Sequence, residues 1–122
     1  MITVLLVDDN PVIRKLLASG LRNEGFSVLT ADSGRDAILQ WRSHPSEIDV
    51  LISDVRMPGM DGPTLAAQLV AEAPGMPVLL ISGFTDSSQQ DKCNGFELLP
   101  KPFSIPTLVA KIRSLATDSL AA

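Results

Sequence analysis

At 122 residues, 45% hydrophobic and 20% charged, the chain has the material for one globular domain with one core region, and not for two. A net charge of −4 without any basic cluster leaves nucleic-acid binding with no electrostatic footprint. The apolar runs are too short to span a bilayer and Met1-Ile2-Thr3 leads into a strand rather than a signal peptide. The lone Cys93 permits no internal disulfide and is compatible with a reducing, cytoplasmic setting.

Val4-Leu5-Leu6-Val7 is a short apolar run that stops at Asp8-Asp9, a strand ending on carboxylates. Asn10-Pro11 opens a helix in which Ile13, Leu16, Leu17 and Leu21 recur at helical spacing, and Glu24-Gly25 ends it. Phe26 to Leu29 reads as a second strand. Ser33 is an N-cap for a second helix, with Ala37, Ile38 and Trp41 on one face. Trp41 reads as a residue of the core edge, and His44, with no ligand partner at metal-binding spacing, as an exposed helix-end residue.

Val50-Leu51-Ile52-Ser53-Asp54 is an unbroken apolar run ending at a carboxylate, the pattern of a strand buried on both faces of a parallel sheet. Pro58-Gly59 and Asp61-Gly62 follow as turn signals, then a helix from Gly62 to Glu72 with Leu65, Ala66 and Leu69 inward. Val78-Leu79-Leu80-Ile81 is a fourth strand, ending at Ser82-Gly83. Between Thr85 and Asn94 the only apolar residue is Cys93, so a helix there has almost nothing to bury and is expected to be short or absent. Phe96 to Leu99 is a fifth strand, ending at Pro100-Lys101-Pro102. Ser104 caps a last helix with Ile105, Leu108, Ile112 and Leu115 on one face; residues 117–122 are expected to form a flexible tail beyond a core of about 3–116.

Strands alternating with helices predict an α/β doubly wound parallel sheet with helices on both faces. The flavodoxin-like order 2-1-3-4-5 places the site between strands one and three, where Asp8, Asp9 and Asp54 fall. Three neighbouring carboxylates repel one another, and a hard divalent ion such as Mg²⁺ suits an all-oxygen donor set. Lys101 adds a fixed positive charge and Ser82 a hydroxyl. A carboxylate nucleophile, a metal and a lysine together describe formation of an aspartyl phosphate.

With Leu6-Val7-Asp8-Asp9-Asn10, Ser53 to Gly62 (Ser-Asp-Val-Arg-Met-Pro-Gly-Met-Asp-Gly), Ser82-Gly83 and Lys101-Pro102-Phe103, the chain resembles the receiver domains of bacterial two-component response regulators from about Thr3 to Ala116. The resemblance implies a CheY-like receiver in which Asp54 accepts a phosphoryl group from a histidine kinase or a histidine phosphotransfer protein. Asp9, Asp54 and the Arg56 carbonyl are then direct Mg²⁺ ligands, with Asp8 acting mainly through water. Lys101 pairs with Asp54 or with the phosphoryl group, Ser82 moves toward the phosphoryl oxygens, and the Lys101-Pro102 bond is often cis, a form proline makes accessible. The chain departs from the pattern at Leu98, where the family usually has an aromatic switch residue, and in its polar Thr85–Asn94 segment. Signalling is therefore expected to run through ordering of the 83–94 segment rather than through a rotating aromatic. Arg56 and Phe84 stand where the family tunes dephosphorylation, and neither orients water as an acid or amide does, so slow self-hydrolysis is expected.

A small Mg²⁺-dependent phosphohydrolase using the same aspartyl phosphate is the enzymatic alternative. Such enzymes usually carry a second acid two residues past the nucleophile, and here that residue is Arg56. The chain is accordingly expected to catalyse only its own phosphorylation and dephosphorylation. No G-x-x-x-x-G-K-[ST] loop supports a nucleotide-binding reading, and Asp8-Asp9 would repel a flavin phosphate. A degenerate receiver that only docks a partner is the third reading. The chain fits either a stand-alone receiver, to which the Met1 start is suited, or the receiver piece of a hybrid kinase or larger regulator.

Overall fold

A computed structural model describes residues 1–83 and 96–121 of the chain, with side chains through Ala116. The strands are β1 (Thr3–Val7), β2 (Ser27–Ala31), β3 (Val50–Asp54), β4 (Val78–Ser82) and β5 (Glu97–Pro100). The helices are α1 (Pro11–Asn23), α2 (Gly34–Ser43), α3 (Gly62–Glu72) and α4 (Ile105–Ala121). All strand pairs are parallel, in the order β2-β1-β3-β4-β5. This is the expected doubly wound arrangement. Phe84, Cys93 and the 85–94 segment, with the expectations attached to them, lie outside the described residues.

Side chains alternate across a strand, so each apolar run supplies both layers of the core at once. Val4 and Leu6 of β1, Val50 and Ile52 of β3, and Leu79 and Ile81 of β4 face one layer, closed by Leu17, Ala18 and Leu21 of α1 and Leu108, Val109 and Ile112 of α4. Leu5, Val7, Leu51, Val78 and Leu80 face the other, closed by Ala37 of α2 and Leu65, Ala66 and Leu69 of α3. Trp41 is partly buried against this second layer, as are Phe96 and Leu98. Leu98 thus packs inward, where the family's usual aromatic would stand.

Some details differ from the sequence reading: His44 is half-buried rather than exposed, its Nδ1 2.9 Å from Gln40 O. Leu16 is 67% exposed, because the buried stripe of α1 runs through Leu17, Ala18 and Leu21, and Leu16 lies outside it with Val12. The backbone of α4 stays helical through Ala121, into the stretch expected to be a flexible tail; Leu115, Ala116, Leu120 and Ala121 all have high helix propensity.

The helices begin at the carboxyl edge of the sheet, and each start is fixed by a polar side chain. Asn10 Oδ1 accepts from the Val12 and Ile13 amides at 2.9 and 3.2 Å, with Pro11 in the first turn. Ser33 Oγ accepts from Asp36 N at 3.0 Å, Asp61 Oδ1 from Thr64 N at 2.9 Å, and Ser104 Oγ from Thr107 N at 3.2 Å. These caps satisfy amides that a helix leaves unpaired. They also draw the strand-to-helix turns to one edge of the molecule, where the acidic strand ends meet.

Candidate functional site: an acidic cluster at the carboxyl edge of the sheet

β1 and β3 are neighbours, with Val7 opposite Ser53. The residues that follow, Asp8 and Asp9 after β1 and Asp54 at the end of β3, therefore converge. One carboxylate oxygen from each lies within 4.8 Å of the others. Asp8 is buried, Asp9 exposed and Asp54 intermediate. The strand order, with β1 central between β2 and β3, is what makes two separate stretches of sequence one site.

Asp8 is held by its surroundings. Its carboxylate accepts from Asn10 N at 2.9 Å, its carbonyl accepts from Arg14 Nη1 at 2.8 Å, and its amide donates to Ala31 O at 3.2 Å. Burial raises the Asp8 carboxyl above the ordinary aspartate range, with the Asn10 amide and the Lys101 charge pulling it back. Asp54 is pushed up to about 6, mainly by burial, with Asp8 and Asp9 adding repulsion and Lys101 opposing it.

Lys101 Nζ stands 3.6 Å from Asp54 Oδ1. It reaches there because β5 pairs with β4 and Lys101 N donates to Ser82 O at 2.8 Å. The same bond puts Ser82, 8% exposed, beside Lys101. The Lys101-Pro102 peptide is cis. Arg56 is exposed in the loop after β3. Asp54, Asp8, Asp9, Lys101 and Ser82 thus all stand at one edge of the sheet. A cleft of about 600 Å³ lined by Trp41, Glu72 and Met76 lies at the opposite edge, away from this cluster.

The chemistry of the donor set suits a hard cation. Three carboxylates offer only oxygen, two of them have raised pKa values because burial leaves their charge under-compensated, and one lysine balances part of it. Glycine at position 62 belongs to the same construction. A Cβ there would stand 2.3 Å from the Asp54 carbonyl oxygen, so the start of α3 sits directly on the end of β3. Gly62 N donates to Val55 O at 2.9 Å and closes the base of that loop. Asn10 and Arg14 also hold Asp8, a role the sequence pattern does not assign to them. The Asp-Asp-Asn-Pro spacing carried the Asn10 signal, while the Arg14 bond spans two elements whose angle only the fold sets.

Among the described residues no helix is long and apolar enough to cross a membrane. The family model of the response regulator receiver domain matches residues 4–113. The probable transcriptional regulatory protein TcrX of Mycobacterium tuberculosis is 36% identical over 93% of this chain, and the sensor kinase CckA of Brucella abortus 34% identical over 93%. The match spans 49% of the first protein and 12% of the second, so the chain corresponds to only part of each. A crystal structure of a response regulator receiver domain protein from Clostridium thermocellum superposes with a TM-score of 0.92, at 25% identity, covering 99% of this chain and 98% of that one. With the family match running over nearly its whole length and the acidic edge built as described, the chain belongs to the response regulator receiver domains of two-component signalling.

Proposed function

We propose that the chain is an active phosphoacceptor, with Asp54 as the residue phosphorylated. The observation that carries this reading is the convergence of Asp8, Asp9 and Asp54 with Lys101 Nζ 3.6 Å from Asp54 Oδ1. An Asp54 oxygen attacks the phosphorus of a phosphohistidine or of acetyl phosphate. The P–N or P–O bond to the donor breaks, its electron pair leaves with the donor, and Asp54 becomes an acyl phosphate. A carboxyl with a pKa of about 6 is mostly ionised at neutral pH, so the nucleophile is available.

Lys101 pairs with Asp54 in the resting state and shifts its charge to the phosphoryl oxygens after transfer. The Ser82 hydroxyl donates to one of those oxygens. Asp9, Asp54 and the Arg56 carbonyl would hold Mg²⁺, with Asp8 acting mainly through water. When bound, Mg²⁺ supplies positive charge against the carboxylates and the incoming phosphoryl group. The chain catalyses only its own phosphorylation and hydrolysis, and Arg56 in place of a second acid argues against turnover of free phosphomonoesters.

The phosphodonor is a histidine kinase or histidine phosphotransfer protein, in the cytoplasm. Residues 1–122 are read as one receiver domain with a core over 3–116. With Phe84 and Arg56 at the positions that tune hydrolysis, the acyl phosphate is long-lived, and Phe84→Glu shortens its half-life. The deciding experiment is intact mass after incubation with acetyl phosphate and Mg²⁺, beside Asp54→Asn. A single phosphoryl adduct that needs Mg²⁺ and is lost in the variant is the expected result. No adduct, together with no binding of beryllofluoride, would leave a docking module with a vestigial site.

A further inference from the structure

α2 begins at Gly34, one residue after its Ser33 cap, and its backbone is not in the left-handed region that asks for glycine. A glycine there is otherwise a cost to the helix, since it adds chain entropy to the unfolded state. The reason for it is space. A methyl group at Gly34 would stand 2.8 Å from Met60 Sδ, 2.9 Å from its Cβ and 3.0 Å from its Cγ. Because the Cβ is among these atoms, a rotamer change of Met60 does not clear the overlap. The loop backbone or the start of α2 must move, and either breaks the present contact between them.

Met60 lies in the loop that joins Asp54 to α3, between Gly59 at φ +78° and Asp61, which caps α3. Its side chain is partly buried against the core layer under α2 and α3. The base of the loop is closed by the bond from Gly62 N to Val55 O. On the other side of the contact, the strand that leads to Gly34 ends at Ala31, whose carbonyl accepts from Asp8 N at 3.2 Å. The Met60–Gly34 contact therefore joins the outer bend of the loop behind Asp54 to the turn that holds Asp8. It has the form of a latch, with a flexible thioether pressed onto a bare backbone surface.

We propose that Gly34 is a positioning residue for phosphoryl transfer, acting through Met60 to hold the 55–61 loop, and with it the Arg56 carbonyl, in register with the three carboxylates. The inference rests on the phosphoacceptor reading and goes beyond it, because neither Gly34 nor Met60 touches a reacting atom. Displacing the loop by a fraction of an ångström to an ångström misplaces the site without removing any of its functional groups. Misplacements of that size cost up to about a hundredfold in rate.

The test compares wild type, Gly34→Ala, Met60→Gly and the double variant in three measurements. These are the rate of phosphorylation by acetyl phosphate from intact mass, the Mg²⁺ dissociation constant by calorimetry, and hydrogen exchange over 55–61. Gly34→Ala is expected to slow phosphorylation about tenfold, to weaken Mg²⁺ binding about threefold or more, and to speed exchange in the loop. Met60→Gly, which removes the latch without a clash, is expected to move all three in the same direction. In the Met60→Gly background, Gly34→Ala is expected to add nothing, since its effect runs through the absent side chain.

Wild-type rate and Mg²⁺ affinity in either single variant would overturn the proposal. So would an equal further loss from Gly34→Ala with Met60 present or absent, which would mean that Gly34 acts by another route. If Gly34→Ala does not fold, Met60→Gly and the double variant decide, and they must match each other and fall below wild type. A wild-type protein that takes no phosphoryl group would sink the phosphoacceptor reading alone. The Mg²⁺ and exchange measurements would still judge the latch.

Discussion

Replacing Asp54 by Asn should stabilise the metal-free protein, although it removes the proposed phosphoacceptor. The Asp54 carboxyl is pushed from 3.8 to about 6 in the fold. Each pKa unit corresponds to about 1.4 kcal/mol, so holding the ionised form in place costs roughly 3 kcal/mol at neutral pH. The side chain is 15% exposed, so screening by water takes away little of this. The loss of the Lys101 pairing on mutation is already contained in the net upward shift. The sign with pH follows from the direction of the shift. A carboxyl with a raised folded pKa binds its proton more tightly in the native state. Its favourable contribution is complete below 3.8 and is lost as pH rises toward 6. Asp54→Asn should therefore gain about 2–3 kcal/mol over wild type at pH 7.5 and close to nothing at pH 3.5. For a domain of this size the gain is roughly 8–12 °C in Tm. Urea and thermal unfolding in EDTA at low ionic strength, across pH 3.5–8, measure it. Mg²⁺ should narrow the gap, because binding to the native wild type adds about 2.7 kcal/mol at a hundred times the dissociation constant. A variant less stable than wild type at pH 7.5, or a difference that does not change with pH, would refute the charge-repulsion account of this site.

Three further outcomes test the geometry. Lys101→Ala removes the cation 3.6 Å from Asp54, so phosphorylation by acetyl phosphate should slow at least about tenfold, and an NMR titration should find the Asp54 carboxyl higher than in wild type. Gly62→Ala drives a methyl against the Asp54 carbonyl oxygen, which is backbone and cannot rotate away, and should cost about 3 kcal/mol or more by chemical denaturation. A loss under about 1 kcal/mol would mean that α3 slides freely on the end of β3. Leu80→Ala empties a fully buried position on β4, between Ser53 on β3 and Leu98 on β5, and should cost about 2–5 kcal/mol while leaving the acidic cluster unchanged.

The alternation of apolar strands with amphipathic helices determined the layer architecture. A run such as Val50 to Ile52, apolar on both faces, fits a parallel sheet covered on both sides. The acids at the ends of two such runs, with Lys101 after a third, identified the candidate site because strand ends on one edge are the only place these residues meet. Sequence distance carries no more than that. The exposure of Leu16 came out differently because helical spacing alone does not fix which of two adjacent apolar residues turns inward; the packing of α1 against the sheet and α4 decides it. The raised pKa of Asp54 depends on burial and on charges brought from other elements, which no local pattern encodes. Gly34 illustrates the same limit. In the sequence it is one more glycine at a helix start, and only the approach of Met60, 26 positions further on, shows why a larger residue would not fit. Local preferences write the elements and their order into the chain. Close approach, burial and field strength are properties of the assembled whole, because each arises between segments that chain order leaves apart.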